Sequence, residues 1–500
     1  MYKRILSFSL AVCLLFSGIC GRIGYIIFSK NYLVSGGKNS YSVTIDRKQP
    51  TVYYRSGIVA TNNAHKYIAV IRPNPRSIGE LEKLFSKYEQ KEIINELKNG
   101  KPVVRLLDEY PSETLKSIKV YKRYDDDNNL HQIIAKQSNG LLNHTGEEIG
   151  KSTAIFSIDA NGRLLDGDSG KVENINYDSP EGYVLSIDKK IQQIAIDASS
   201  KMKSGCVVVM NTDDHSILAC VNKPFDSYII KAFRQYSVGS VFKIVVAVCA
   251  LENNVQINYN CKGNIKVGDT EYSCQNNHIH MAQNLKQALA NSCNCYFVNL
   301  ANVLGSEKLL DTCNKLGFND FTELFADWKI ENGNLPTEYE LLSKGELSLF
   351  GFGQGKLTAS PLQIASVICT VADDGCFAQP KLVMSNVNNK NEKYNVAYPP
   401  KKKVLKRNTC NKLIEYMRYV VTDGTAHIIM HGDKGSAGKT ATAQTGQYEN
   451  GVEKLNTWFV GLYPYDEPKY AIVIMTENGK SGAGDCCPIF STIVEQLGKM

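Results

Sequence analysis

Gly239-Ser240-Val-Phe-Lys243-Ile-Val-Val-Ala-Val-Cys-Ala-Leu251 is the stretch on which the fold turns. Apart from Ser240 and Lys243 it is almost wholly apolar, so it predicts a buried helix with Ser240 at its N-terminus. Lys243 falls three residues on, on the same face and one turn along. A lysine in so apolar a helix needs a partner, and burial lowers its pKa. A neutral amine beside a hydroxyl is a general base beside a nucleophile. The helix N-terminus and its unbonded N–H groups favour an oxyanion formed at the same place. Taken alone, Ser-x-x-Lys is also what a capping serine followed by a snorkelling lysine looks like.

Two further pieces change that balance. Ser292-Cys-Asn294 follows Leu285-Lys-Gln-Ala-Leu-Ala-Asn291, a segment with helical character. Ser292 can relay a proton between Lys243, Lys439 and a leaving group, and Asn294 offers an amide to hold a substrate peptide bond. Lys439-Thr-Ala-Thr-Ala-Gln444 alternates as a strand, which puts Thr440 and Thr442 on one face, suited to grip a carboxylate beside the Lys439 charge. The Thr442 N–H can complete an oxyanion hole with that of Ser240. Ser-x-x-Lys, Ser-x-Asn and Lys-Thr-x in this order are the residue set of a serine acyl-transferase that uses lysine in place of histidine.

Around these motifs the pattern is α+β. Val184 to Asp188 predicts a strand ending in an N-cap aspartate, followed by a helix through Ile191, Ile194 and Ile196. Gly205 to Met210 and Ile217 to Val221 predict paired strands, as do Thr457 to Gly461 and Tyr470 to Met475. A last helix is expected from about Pro488. These elements make an antiparallel sheet with helices packed on it. Residues 30–175 are polar and mixed and predict a non-catalytic module, with a helix from Ser77 to Leu97 capped by Ser77 and Glu80.

The first residues carry a localisation signal. Lys3 and Arg4 precede an apolar run from Ile5 to Gly21, interrupted at Arg22 and resumed from Ile23 to Phe28. A basic end before an apolar core is a signal-anchor pattern, long enough to span a bilayer if Arg22 snorkels. The expected layout is 1–29 cytoplasmic tip and membrane anchor, 30–175 pedestal and 176–500 catalytic domain, with the catalytic part outside the cell. The composition, 43% hydrophobic and 21% charged, is globular, and the net charge of +7 is mild. No basic stripe interleaved with aromatics points to nucleic acid. Among fifteen cysteines, Cys261 and Cys274 flank a turn region, where a disulfide would contribute roughly 3 kcal/mol. Cys293, Cys295 and the adjacent pair Cys486-Cys487 show no metal-site spacing, and no metal and no cofactor are expected.

The chain resembles the penicillin-binding proteins of the monofunctional class B kind, over nearly everything after about residue 176. Tyr236-Ser-Val-Gly-Ser-Val-Phe-Lys243, Ser186-Ile-Asp188 with Ile191-Gln192, Val207 to Asn211, Gly353-Gln354-Gly355 with Ser360-Pro-Leu-Gln363, Val420-Val421, Gly424-Thr425 and Trp458-Phe-Val-Gly461 carry it. Cys261, Cys274, His280 and Ser292-Cys-Asn294 resemble a cysteine-bearing insert that some members have. The resemblance implies a serine β-lactamase-like transpeptidase domain, with Gly353, Gln354 and Trp458 beside the substrate. It implies that Ser240 attacks the penultimate D-Ala carbonyl of a peptidoglycan stem peptide and is acylated by β-lactams. The partners it implies are the cytoplasmic membrane, a membrane-embedded glycosyltransferase and other wall-synthesis proteins. Ala441 departs from the family's glycine, and its methyl is expected to crowd the substrate or Ser292. That departure keeps open an attenuated or non-catalytic relative acting as a scaffold or β-lactam sensor. A D,D-carboxypeptidase would use the same acyl-enzyme.

Overall fold

The computed structural model describes residues 2–28, 40–61, 64–125, 129–146, 148–158, 164–165, 170–318, 320–427 and 435–500. Residues 1 and 29 of the expected anchor, and the start of the expected pedestal, lie outside them.

The chain forms two compact units, 1–49, 62–127 and 148–179 in the first, and 50–61, 128–147 and 180–500 in the second. The single cut expected near residue 176 is thus replaced by an interleaved division. The reason is local. Thr51–Tyr53 pairs in parallel with Gly182–Leu185, and Leu130, Ile133, Ile134 and Leu141 join the main hydrophobic core.

The first unit opens with helix α1 (Tyr2–Phe28). Its segment Ser7–Tyr25 is long and apolar enough to cross a membrane, and none of it is buried. Two three-stranded antiparallel sheets follow. Gly150–Ser157 is central in one, and Ala64–Ile71 in the other. The helix expected over Ser77 to Leu97 is broken. Asn74, just before Pro75, caps a short helix Pro75–Glu80 by accepting from the Ser77 N–H. The carboxylate of Glu80 instead accepts the N–H groups of Lys116, Ser117 and Ile118. A second helix, Lys87–Leu97, starts at the Ser86–Glu89 capping box, a signal of the same form nine residues further on.

In the second unit α2 (Lys189–Ala198) is capped by Asp188, whose carboxylate accepts from the N–H groups of Lys190 and Ile191. Then come β1 (Gly205–Asn211), β2 (Ile217–Lys223), α3 (Lys243–Glu252), α4 (Leu285–Ala290), α5 (Asn294–Leu304), α6 (Pro361–Ala372) and α7 (Arg407–Thr422). The chain closes with β3 (Ala437–Glu449), β4 (Val452–Tyr463), β5 (Tyr470–Glu477) and α8 (Gly482–Leu497). The sheet order is β2-β1-β5-β4-β3, antiparallel throughout. β1, β2 and β5 are buried nearly along their length, and Val207, Val208, Val209, Ile472, Val473 and Ile474 fill the centre of the core. Helix α8 begins six residues before Pro488, because the Ser481 hydroxyl caps it by accepting the Gly484 N–H. Its Phe490 ring packs edge-on to Phe459 of β4 at 4.6 Å.

Candidate active site

Ser240 sits in a tight 3-10 turn, Gly239–Phe242, that runs directly into α3. Several contacts hold this turn. Gly239 has φ +55, and a side chain there would meet the Ala443 Cβ at 2.9 Å, so β3 lies hard against the nucleophile's turn. The Gly239 N–H donates to the Gly353 carbonyl at 3.0 Å. Gly353 has φ +85, and a Cβ on it would stand 1.9 Å from the Gly239 oxygen. Gly353, expected beside substrate, therefore serves first as the seat of this turn. Gly353→Ala is expected to destabilise the fold by about 2–5 kcal/mol, from backbone clash and left-handed strain together, read as a drop in chemical-denaturation midpoint. Its neighbour Gln354 is half-buried, with its N–H bonded to the Leu349 carbonyl.

Trp458 was expected to contact substrate. Its side chain is fully buried, and its indole N–H donates to the Ser237 carbonyl at 3.1 Å. It braces the turn from beneath. The Tyr236 hydroxyl does the same from one side by donating to Glu477 at 2.8 Å, and Glu477 also bonds Lys231 and Ser204.

Lys243 is fully buried on α3. Its ammonium nitrogen donates to the Ser292 carbonyl at 2.7 Å, the Ser292 Oγ at 3.3 Å and the Asn294 Oδ1 at 2.7 Å. Lys439 of β3, also fully buried, donates to the same Ser292 Oγ at 3.0 Å and to the Thr440 carbonyl at 2.8 Å. One hydroxyl thus receives both amines. Among the described residues no carboxylate pairs with either lysine. Burial pulls the Lys243 pKa down to about 8, the nearby cysteines opposing the shift. Burial, and then the charge of Lys243, push that of Lys439 well below its ordinary value. The charge of Lys243 disfavours charge on Lys439, and both amines reach the same Ser292 oxygen.

Ser292 has φ +52, an uncommon backbone for a residue with a side chain and one typical of functional turns. Asn294 differs from its expected role. Its carbonyl oxygen holds Lys243, and its Nδ2 donates to the Ser273 carbonyl at 2.9 Å. Its amide fixes the base and ties this turn to the neighbouring strand Thr270–Ser273.

Lys439 to Gln444 lies within strand β3 (Ala437–Glu449) as expected, but the first five residues of the strand, Ala437 to Ala441, are all buried. Thr440 is nearly buried, and its hydroxyl bonds that of Thr425 at 2.7 Å. Thr442 is half-buried and accepts from the Gly482 N–H at 3.4 Å. Thr425, at the end of α7, is the hydroxyl that motif reading left without a role. Ala441 does not line an open cleft. It is 3% exposed and belongs to the main hydrophobic core. Ala441→Gly is therefore expected to cost about 1–2 kcal/mol, through a lost methyl and a freer strand backbone, with little change in acylation rate. Thermal melting and a stopped-flow acylation assay check the two halves separately.

The expected Cys261–Cys274 disulfide is absent, with the two sulfurs 3.7 Å apart against about 2.05 Å for a bond. The expectation of no metal site also changes. Cys261, Cys274, His280 and Cys293 place their ligand atoms within 4.8 Å of one another. Cys274 Sγ stands 3.7 Å from Cys261 Sγ and 3.7 Å from Cys293 Sγ, and Cys261 Sγ stands 3.6 Å from His280 Nδ1. Two sulfurs bound at about 2.3 Å to one tetrahedral ion stand about 3.8 Å apart, so these residues have the spacing of a zinc-class ligand set. A further thiol, Cys295, lies 3.5 Å from Cys274.

The chain matches the family model of the penicillin binding protein transpeptidase domain over residues 205–495, and it belongs to that family. Stage V sporulation protein D of Bacillus subtilis is 24% identical, over 69% of this chain and 57% of that protein. Peptidoglycan D,D-transpeptidase MrdA of Acinetobacter baumannii is 29% identical, over 41% of this chain and 33% of that protein. The chain spans about half the length of the curated relatives it matches. Among solved structures, the D,D-transpeptidase domain of a peptidoglycan glycosyltransferase from Eggerthella lenta aligns over 91% of this chain and 100% of its own, with TM-score 0.63 at 22% identity. Penicillin-binding protein 3 of Mycobacterium tuberculosis, complexed with aztreonam, aligns over 92% and 97%, with TM-score 0.62 at 18% identity. These two likenesses carry the fold: an α+β penicillin-binding transpeptidase domain.

Proposed function

We propose that this chain is a peptidoglycan D,D-transpeptidase working through a Ser240 acyl-enzyme. The observation that carries the reading is the meeting of two buried lysines on the Ser292 hydroxyl, with Lys243 one turn after Ser240. Neutral Lys243 takes the Ser240 proton as the oxygen attacks the penultimate D-Ala carbonyl of a stem peptide. The Ser240 and Thr442 N–H groups face the developing oxyanion. Ser292 passes a proton to the departing D-Ala nitrogen, with Lys439 restoring it. The same groups then deprotonate the amine of a second stem peptide, which resolves the ester. Thr440, Thr442 and Thr425 offer hydroxyls for the substrate carboxylate beside Lys439. β-Lactams carry a strained amide and a carboxylate and would acylate Ser240 in the same way.

The relatives' names support the reading: several are peptidoglycan D,D-transpeptidases. Helix α1 supports a single-pass membrane anchor with the second unit outside the cell. The first unit contributes none of the residues above and is read as the non-catalytic module. A membrane-embedded glycosyltransferase supplying fresh glycan strands is the partner this chemistry calls for. With lipid-linked polymer carrying pentapeptide stems, the full chain is expected to yield cross-linked peptide dimers. Release of free D-Ala without dimers would make it a carboxypeptidase, and neither product would remove the enzymatic reading.

A further inference from the structure

The turn that carries Ser240 changes hand just before the nucleophile. Val238 lies in the right-handed helical region and Gly239 has φ +55, a conformation that glycine enters and leaves at little cost. A small rotation there would swing the Ser240 hydroxyl out of line, so its aim depends on what holds residues 236–239. Tyr236 is held twice. Its backbone forms a bridge with Ala359, with N–H to carbonyl distances of 3.0 Å in both directions. Its hydroxyl donates to Glu477, the last residue of β5, at 2.8 Å. The Tyr236 ring also stands edge-on to Trp458 at 6.4 Å, and the Trp458 indole holds the Ser237 carbonyl. Glu477 therefore reaches the turn by two routes, along the chain from Tyr236 and through Trp458. Its carboxylate is itself fixed. Burial alone would raise its pKa, but hydrogen bonds from Lys231, Ser204 and Tyr236 hold it below the ordinary value and keep it charged. None of these side chains takes part in the proton transfers described above.

Glu477 also begins a turn that meets the opposite wall of the site. Residues 477–485 lead from β5 into α8. The Asp485 carboxylate accepts the N–H groups of Lys480 and Ser481 at 2.6 and 2.9 Å, which closes the turn on itself. A Cβ on Gly479 would stand 2.4 Å from Thr457 Oγ1. One on Gly482 would stand 2.4 Å from the Trp458 carbonyl oxygen and 2.5 Å from that of Ala441, so the turn is seated directly on β4 and β3. The Gly482 N–H then donates to the Thr442 hydroxyl at 3.4 Å. Resting on the Ser240 acyl-enzyme reading given above, we infer that Glu477 is a positioning residue for acyl transfer: through Tyr236 it aims Ser240, and the turn it begins holds Thr442, so that the two N–H groups facing the oxyanion keep their register. In this role Glu477 neither touches substrate nor moves a proton. A misplacement of about 1 Å can cost about a hundredfold in rate, so a modest loosening of the turn is measurable.

The test uses the full chain in detergent and a fluorescent penicillin, with the single-turnover acylation rate constant followed against penicillin concentration and pH. Such a rate constant belongs to each folded molecule, so lost stability alone lowers the amount labelled and not the rate. Tyr236→Phe, which removes one oxygen, is expected to lower the limiting rate about tenfold or more, with the half-saturating concentration within about twofold of the parent. The fall in rate below about pH 8, set by Lys243, is expected to stay where it is. Glu477→Ala is expected to give a similar loss, and the double variant no more than about twofold beyond the larger single loss, because both changes break one link. Asp485→Ala, which loosens the turn and leaves Tyr236 and Glu477 in place, is expected to slow acylation at least about threefold. A limiting rate in Tyr236→Phe within about twofold of the parent, losses that multiply in the double variant, or an unslowed Asp485→Ala overturns the inference. Because Glu477→Ala leaves Lys231 without that partner and is open to misfolding, Tyr236→Phe also decides by amide hydrogen exchange. Residues 237–241 are expected to exchange faster than in the parent, and equal exchange overturns the assignment. If the unaltered chain is not acylated at all, the enzymatic reading fails, while the exchange comparison still shows whether Glu477 holds the turn.

Discussion

Ser240→Ala abolishes covalent labelling by a fluorescent penicillin, and the variant remains folded. The first half follows from chemistry. Among the described residues no other hydroxyl in the site is placed to replace Ser240: the Ser292 oxygen is already bonded by both lysines. The Thr440 hydroxyl is nearly buried and paired with Thr425. The second half follows from packing. Ser240 is half-buried at the end of a turn that is held by others, through the Gly239–Gly353 hydrogen bond and the Trp458–Ser237 hydrogen bond. Losing one oxygen there leaves those contacts intact, so melting is expected within about 1 kcal/mol of the parent, the range of a single modest hydrogen bond. Gel fluorescence after a saturating incubation reads the first half, and thermal unfolding the second. Labelling that survives in a folded Ser240→Ala chain would move the nucleophile elsewhere and sink the assignment.

How much of this was legible before the structure depends on range. Ser240 and Lys243 are separated by one helical turn, so their relation is local and an apolar helix announces it. Ser292 and Lys439 lie far off in sequence and became legible only through the order of three short motifs. What stayed hidden depended on neighbours that no spacing records. Trp458 looks like a platform for substrate on a strand, yet its indole is spent on the Ser237 carbonyl. Ala441 looked like an obstruction because a strand glycine usually marks close approach, but here its methyl joins the core. The close approach falls instead on Gly239, opposite Ala443. The thiol cluster was missed for a related reason. Its ligands come from one short strand (Cys261), the residues just outside two others (Cys274 and His280) and a helix cap (Cys293), and no Cys-x-x-Cys pair signals them. Helix limits were lost where two start signals competed: Asn74 and Ser86 outweighed Ser77, and Ser481 outweighed Pro488.

Lys243→Met is expected to slow acylation by about 100- to 10,000-fold, the range of a lost general base, while penicillin still binds reversibly. Methionine has a similar reach and removes only the amine, so the effect reports proton transfer rather than packing. The native chain should also show the base in its pH profile. Lys243 acts only when neutral, and its pKa is drawn down to about 8 by burial. Lowering the pH protonates the amine, so the acylation rate is flat above about pH 9 and falls about tenfold per unit below pH 8. Lys439 is likewise pushed well below its ordinary value by burial and by the charge of Lys243, so both amines on Ser292 are able to give and take a proton. Proton transfer through Ser292 can therefore run in either direction between them, as acylation and its reversal by an incoming amine require. In Lys243→Met the fall below pH 8 should disappear from the residual rate. A variant that kept the same limb would assign the titrating base to another group.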